Sequence, residues 1–383
     1  MTCKAAEVAP ELIDATVVNF MVQNSLPSLI LNITKNGQNI RNKAYGLNCS
    51  PDVTVCREVA SVCDFSRIGS VTKTMTTFII LQLADQKLLS LDDKLAKWYP
   101  QLPKADQVTM RQLGNMTSGI PSYSTNPAFQ AAFEANSYRI WTIDELLAYA
   151  YSQPYLFPPG TAWYYSNTNT ILLGSVASKV LKKSIVEIFR QYIAQQFGMC
   201  QTYLAVRTEI PDPHLIGTDI DNGIIVDTTH FSPSWADAAG AVISRLDNMR
   251  VWSRVIGKFI GLSSKAKRER IAPTTVGLHY DAKNVFTPDW YYSFGVEVNH
   301  GWIGHNGSIP GYNTVCFSLM GQDTSIIIFI GRSNTEVGNY ASNLWQALAQ
   351  IITPDHVPFI PNPEVELLNS SQELHGVKMR KFE

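Results

Sequence analysis

The sequence predicts an α+β protein: an antiparallel sheet flanked by helices, with a mostly helical insertion dividing its strands. Three observations carry that prediction. β-prone runs occur only near the start (residues 28–47) and again from about residue 291. The stretch between them, from about 91 to 255, is dominated by helical periodicity broken by Pro/Gly-rich turns. A second helical pattern closes the late strands. Strands separated in this way can still join one antiparallel sheet.

The elements follow in order. Residues 7–24 read as an amphipathic helix, with Leu12, Ile13, Val17, Phe20 and Met21 on one side. Residues 28–34 and 39–47 flank Lys35-Asn36-Gly37, and Asn-Gly between two β-prone runs signals a hairpin. Residues 48–64 read as a loop insertion. A helix is expected over 74–86 and another over 245–260. Strands are expected over 293–298, 312–319 and 325–331, then a helix over 340–352. A Pro-rich tail begins at Pro354, where proline disfavours helix. The expected division is a discontinuous sheet part (1–67 and 270–353), a helical part (68–269) and an extended tail (354–383). A cleft between the first two parts is a natural place for a site.

Composition removes several classes. The 383 residues are 45% hydrophobic, enough for a sizeable core, which excludes wholesale disorder. A net charge of -1 argues against nucleic acid as a partner. No apolar run is long enough to span a bilayer. The first residues include Glu7 and no apolar core, unlike a signal peptide, so the chain reads as cytosolic or as a mature form without its leader. Of six cysteines, Cys49, Cys56 and Cys63 crowd together, and one disulfide among them is expected in an oxidising compartment. The cysteines and the histidines show no metal spacing.

Three short motifs carry chemistry. In Ser70-Val71-Thr72-Lys73 the i, i+3 spacing puts the lysine beside the serine hydroxyl at a helix start. A serine is a poor nucleophile until something takes its proton, and a lysine in a pocket of low dielectric loses its own proton more readily. The helix N-terminus offers N–H groups to an oxyanion. Ser-x-x-Lys specifies only two residues and recurs at Ser264-Lys265-Ala266-Lys267, which sits with Arg268 and Arg270 and reads as a solvated basic face. Tyr165-Ser166-Asn167 follows the turn Pro158-Pro159-Gly160. Tyr165 can relay a proton near an ammonium, and Asn167 can bond a substrate amide. The bland reading of Trp163-Tyr164-Tyr165 is core packing. In Gly304-His305-Asn306-Gly307-Ser308 a cationic or hydrogen-bonding residue and then a glycine let a substrate backbone approach a strand. His305 can donate to a substrate carboxylate or help to position Tyr165. A lone histidine among glycines is more often structural.

In this order and spacing the motifs resemble those of the penicillin-recognising serine hydrolases: class C β-lactamases, D-alanyl-D-alanine carboxypeptidases, and related esterases and D-aminopeptidases. The resemblance covers roughly residues 22–352. It includes Phe65 through Lys73, Leu88-Leu89-Ser90-Leu91-Asp92-Asp93, Thr117-Ser118-Gly119-Ile120, Ala238-Ala239-Gly240 and Pro310-Gly311-Tyr312. It implies a β-lactamase/DD-peptidase-like fold and acylation of Ser70, with Lys73 and Tyr165 handling the proton. It further implies substrate contacts from Asn167, His305, Asn306 and Gly307, and an oxyanion hole from the N–H groups of Ser70 and Ser308. No metal or organic cofactor is implied. The expected activity is D-Ala-D-Ala carboxypeptidase-like hydrolysis of D-amino-acid peptides, with β-lactams as candidate acylating ligands. The alternatives are a β-lactamase, a small-ester hydrolase, or a sensor that acylates and stalls. The family's habit suggests the periplasm or secretion. His305-Asn306-Gly307 departs from the Lys-Thr-Gly of class C β-lactamases, and no arginine lies between Arg270 and His305 to hold a free C-terminus. Arg332 is one candidate for that part.

Overall fold

The computed structural model describes residues 9–361 apart from 53–55, 57, 222, 280, 282 and 335–337. Helix α1 (Pro10–Gln23) buries Ile13, Val17 and Met21, whereas Leu12, expected on the same side, is exposed. The start of the expected helix at Glu7, and residues 362–383 of the expected tail, lie outside the described residues. Strands β1 (Ser28–Lys35) and β2 (Gln38–Gly46) form the predicted hairpin. Asn36 and Gly37 both take positive φ, 51° and 80°, as a two-residue turn matched to strand twist requires.

The remaining strands of this sheet come from the far end of the chain: β3 (Trp290–Tyr292), β4 (Glu297–Asn299), β5 (Trp302–Ile309), β6 (Tyr312–Leu319) and β7 (Thr324–Ile330). The spatial order is β2-β1-β7-β6-β5-β4-β3, with antiparallel pairing throughout. β7 is apolar at nearly every position because both of its faces are covered. On one face Leu31, Ile33, Phe317 and Ile328 pack against α1 and the last helix. On the other, Ile30, Ile303, Cys316, Ile327 and Phe329 pack against the helical part.

Five further helices frame the site: α2 (Thr72–Asp85), α3 (Asn167–Leu181), α4 (Asp237–Gly240), α5 (Leu246–Lys258) and α6 (Ser264–Arg270). Helix α7 (Tyr340–Ile352) has the bounds its sequence pattern indicates. α2 is buried on every side from Thr72 to Leu83. Its threonines close their hydroxyls onto backbone carbonyls, Thr74 onto Val71 and Thr77 onto Lys73. Arg270 departs from expectation. It is not part of a solvated basic face but is 2% exposed, donating to Thr77 Oγ1, the Thr74 carbonyl and the Phe294 carbonyl. A guanidinium loses less in burial when several N–H groups find acceptors. Cys49 and Cys56 form the disulfide, and Cys63 is free and exposed. Among the described residues no helix is long and apolar enough to cross a membrane.

Candidate active site

Ser70 stands on a single 3-10 turn, Gly69–Val71, that runs straight into α2. Lys73, one turn further, is fully buried. Its Nζ donates to Ser70 Oγ at 2.9 Å, to Asn167 Oδ1 at 2.7 Å and to the Ala239 carbonyl at 3.0 Å. Three acceptors around one nitrogen match the three donors of an ammonium. The lysine is thereby held against the hydroxyl with no rotamer freedom.

The acceptors come from two helix ends. Asn167 opens α3, where its N–H donates to Ser122 Oγ (3.1 Å) and its Nδ2 to Ser124 Oγ (3.0 Å). Its carboxamide therefore has duties inside the protein on both atoms, beyond the substrate contact expected of it. Ala239 lies in α4, which Thr76 Oγ1 also holds through the Ala238 carbonyl at 2.6 Å. The Tyr165 ring centroid is 4.7 Å from Lys73 Nζ, a cation–π contact. Trp163, Tyr292 and His305 surround that ring, with centroids 6.5, 6.1 and 6.0 Å away.

β5 supplies the opposite wall. β4 pairs only with Trp302, Ile303 and Gly304, so the edge from His305 to Ile309 continues past the end of its neighbour. The backbones of β5 and the 3-10 turn touch. A Cβ on Gly307 would lie 2.1 Å from the Ile68 carbonyl oxygen and 3.3 Å from Ser70 N, and one on Gly69 would lie 2.8 Å from Ser308 N. Gly69 also has φ +49°. Glycine at both positions lets the amides of Ser70 and Ser308 border one gap. Asn306 points to the other face of the sheet from His305, as strand alternation requires, and donates to Ser342 Oγ at 3.2 Å.

His305 is not the cation that its motif position suggests. Burial, with the Lys73 ammonium nearby, pushes its pKa down to about 3. Nδ1 lies 2.5 Å from the Asn306 carbonyl oxygen, which can only accept, so the proton sits on Nδ1. Nε2 therefore accepts from the Tyr292 hydroxyl at 3.2 Å, and burial keeps that phenol protonated. Both ring nitrogens are committed to the protein. Arg332 is also accounted for: it donates to the Ser25 carbonyl and to Thr218 Oγ1.

A histidine held neutral makes folding pH-dependent. An unfolded histidine takes up a proton near pH 6.5, whereas folded His305 refuses it until about pH 3. Between these values the unfolded chain binds more protons, so stability falls as pH falls. Urea unfolding between pH 7.5 and 4.5 is expected to show a loss on the order of a few kcal/mol that His305→Gln largely removes. Equal slopes in the two proteins would contradict it.

One cavity gathers these groups. Ser70, Tyr165, Asn167, His305, Asn306 and Ser308 line it, joined by residues that the motifs did not single out: Ser124, Trp235, Trp290, Tyr292 and Glu297. Ser124 and Glu297 lack a local pattern to mark them. They are recruited by Asn167 and by strand pairing.

A buried Ser–Lys pair at the start of a helix, a tyrosine over the lysine and a strand edge opposite, on this sheet-and-helix fold, define the class: the serine β-lactamase and penicillin-binding-protein superfamily. The sequence model of the Beta-lactamase family matches residues 13–350, and the chain belongs to that family. It is 23% identical over 337 residues to the D-aminopeptidase of Cereibacter sphaeroides (strain KD131 / KCTC 12085), covering 84% of this chain and 60% of that protein. The chain thus spans less than two thirds of that relative. The D-stereospecific amidohydrolase from Streptomyces sp. superposes with a TM-score of 0.76 at 24% identity, covering 89% of this chain and 98% of that one. The octameric penicillin-binding protein homologue from Pyrococcus abyssi superposes with a TM-score of 0.75 at 21% identity, covering 92% and 78%.

Proposed function

We propose that this serine hydrolase cleaves D-aminoacyl amide bonds through an acyl-enzyme on Ser70, acting from the amino end of its substrate. The observation that carries the chemistry is the placement of Lys73 Nζ on Ser70 Oγ, Asn167 Oδ1 and the Ala239 carbonyl at once. As an ammonium saturated by three acceptors, Lys73 polarises the hydroxyl. Tyr165, with its ring over that ammonium, takes the Ser70 proton. The Oγ–C bond forms, and the oxyanion rests on the N–H groups of Ser70 and Ser308. The C–N bond then breaks as Tyr165 returns the proton to the leaving amine. Water, deprotonated by the same pair, hydrolyses the ester and frees Ser70. His305 and Asn167 are positioning residues in this scheme, and β5 beyond Gly304 receives the substrate backbone.

The choice of the amino end rests on charge. Among the described lining residues Glu297 is the only one with an ionised side chain, and no arginine lines the cavity. His305 is neutral, and Lys73 faces Ser70. A carboxypeptidase must hold a free carboxylate, for which this lining has no counterion. The relative's name and the name of the structural neighbour, both concerned with D-amino-acid amide chemistry, support the same reading. We also propose an oxidising compartment, periplasmic or extracellular, which the Cys49–Cys56 disulfide supports.

A side-by-side assay tests the reading. D-aminoacyl p-nitroanilides, their L-enantiomers, an N-acylated D-Ala-D-Ala peptide, a p-nitrophenyl ester and a chromogenic cephalosporin are supplied to the same preparation. The D-anilides are expected to give the highest kcat/KM for amide cleavage. Preferred cleavage of the N-acylated D-Ala-D-Ala peptide, or of the cephalosporin, would overturn it.

A further inference from the structure

The cavity continues past the nucleophile into an aromatic chamber. Trp163 and Phe286 meet edge to face at 4.9 Å, Phe286 and Trp290 lie 4.8 Å apart, and Tyr292 stands 5.7 Å from Trp163. All four rings line the cavity together with Glu297. The Glu297 carboxylate is aimed by its neighbours: Oε1 accepts from Trp290 Nε1 at 3.0 Å and from Asn299 Nδ2 at 2.7 Å. Both donors are neutral, so they orient the charge without cancelling it.

The geometry points to a cation subsite here, one that selects D-aminoacyl substrates whose side chain ends in an ammonium or guanidinium, the D-lysine or D-arginine class. Aromatic faces attract a cation and accommodate an aliphatic stem, and a carboxylate at the end of such a chamber supplies the counter-charge. Distance separates a side-chain cation from the α-ammonium. Glu297 pairs with Gly304, three residues along β5 from Gly307, whose backbone abuts Ser70. At about 3.3 Å per residue the separation along the strand is roughly 10 Å. The α-ammonium, two bonds from the scissile carbon, lies about 2.5 Å from it and falls short. An extended lysine side chain carries its ammonium roughly 6–7 Å from Cα, within hydrogen-bonding reach of the Glu297 carboxylate. The inference rests on the reading of the site as a D-aminoacyl hydrolase and names its substrate class.

The test compares D-lysine p-nitroanilide with D-norleucine p-nitroanilide, which has a similar stem and no charge. Wild type is expected to favour the lysine compound at least tenfold in kcat/KM, and Glu297→Gln, which keeps an oxygen for Trp290 and Asn299, to lose most of that ratio. A second readout does not need turnover: D-lysinamide should protect Ser70 from a fluorophosphonate at concentrations at least tenfold below those of D-norleucinamide, in wild type but not in the variant. Equal treatment of the two compounds by wild type, or an unchanged ratio in Glu297→Gln, would overturn the subsite. If the fluorophosphonate labels Ser70 and D-anilides are cleaved without charge preference, the subsite alone fails. If Ser70 is not labelled, the reading beneath it fails as well.

Discussion

Replacing Lys73 by methionine is expected to lower kcat/KM by about 10³- to 10⁵-fold while leaving the protein folded. The side chain is fully buried and its nitrogen serves three acceptors at 2.7–3.0 Å. Methionine keeps the volume and removes the charge, the donors and the contact with the Tyr165 ring. Two buried acceptors, Asn167 Oδ1 and the Ala239 carbonyl, then lose a donor, which costs stability on the order of 1–3 kcal/mol. The burial of a lone ammonium is relieved at the same time, so the net change in stability is smaller than the change in activity. Steady-state kinetics together with urea unfolding separate the two. A variant that retains a tenth or more of wild-type kcat/KM would show that the lysine is a structural filler.

Gly307→Ala is the second large effect. The added methyl would sit 2.1 Å from the Ile68 carbonyl oxygen, a backbone atom that no rotamer change moves aside. β5 must therefore retreat from the 3-10 turn, and the Ser308 amide retreats with it. Loss of one oxyanion donor typically costs about 10²- to 10³-fold in kcat. The effect here is steric, because Gly307 is absent from the glycines with positive φ. Gly198→Ala is the informative control. Gly198 has φ +67° with nothing near its Cβ position, so it carries backbone strain without a clash at the site. It is expected to lower stability by about 1 kcal/mol and leave kcat/KM near wild type. Equal activities for the two variants would contradict the close approach of β5 to Ser70 as the source of the second oxyanion donor.

Local rules made part of this molecule legible in its sequence. The Asn36-Gly37 turn, the i, i+3 pairing of Ser70 with Lys73 and the apolar period of α7 each depend on a few neighbouring residues, and the structure reproduces them. What stayed hidden depends on burial by distant segments. Arg270 sits among charged neighbours and reads as solvated, yet acceptors on α2 and at Phe294 draw it inside. His305 reads as a cation until the packing of Tyr292 and Lys73 around it is known. Residues 293–298 read as one strand, but Ser293 N–H turns back to the Val296 carbonyl and Gly295 takes φ +68° against Thr77, so pairing resumes only at Glu297. The same turn sets the position of Glu297 on the cavity wall.

The central claim is that Ser70 becomes covalently attached to the acyl group. Intact-protein mass spectrometry after exposure to a fluorophosphonate, and separately to a penicillin, tests it most directly. The account predicts one added mass per chain with each reagent, mapped by peptide digestion to the peptide bearing Ser70, and no addition to Ser70→Ala. Labelling that persists undiminished in Ser70→Ala, or that maps to another residue, would contradict it.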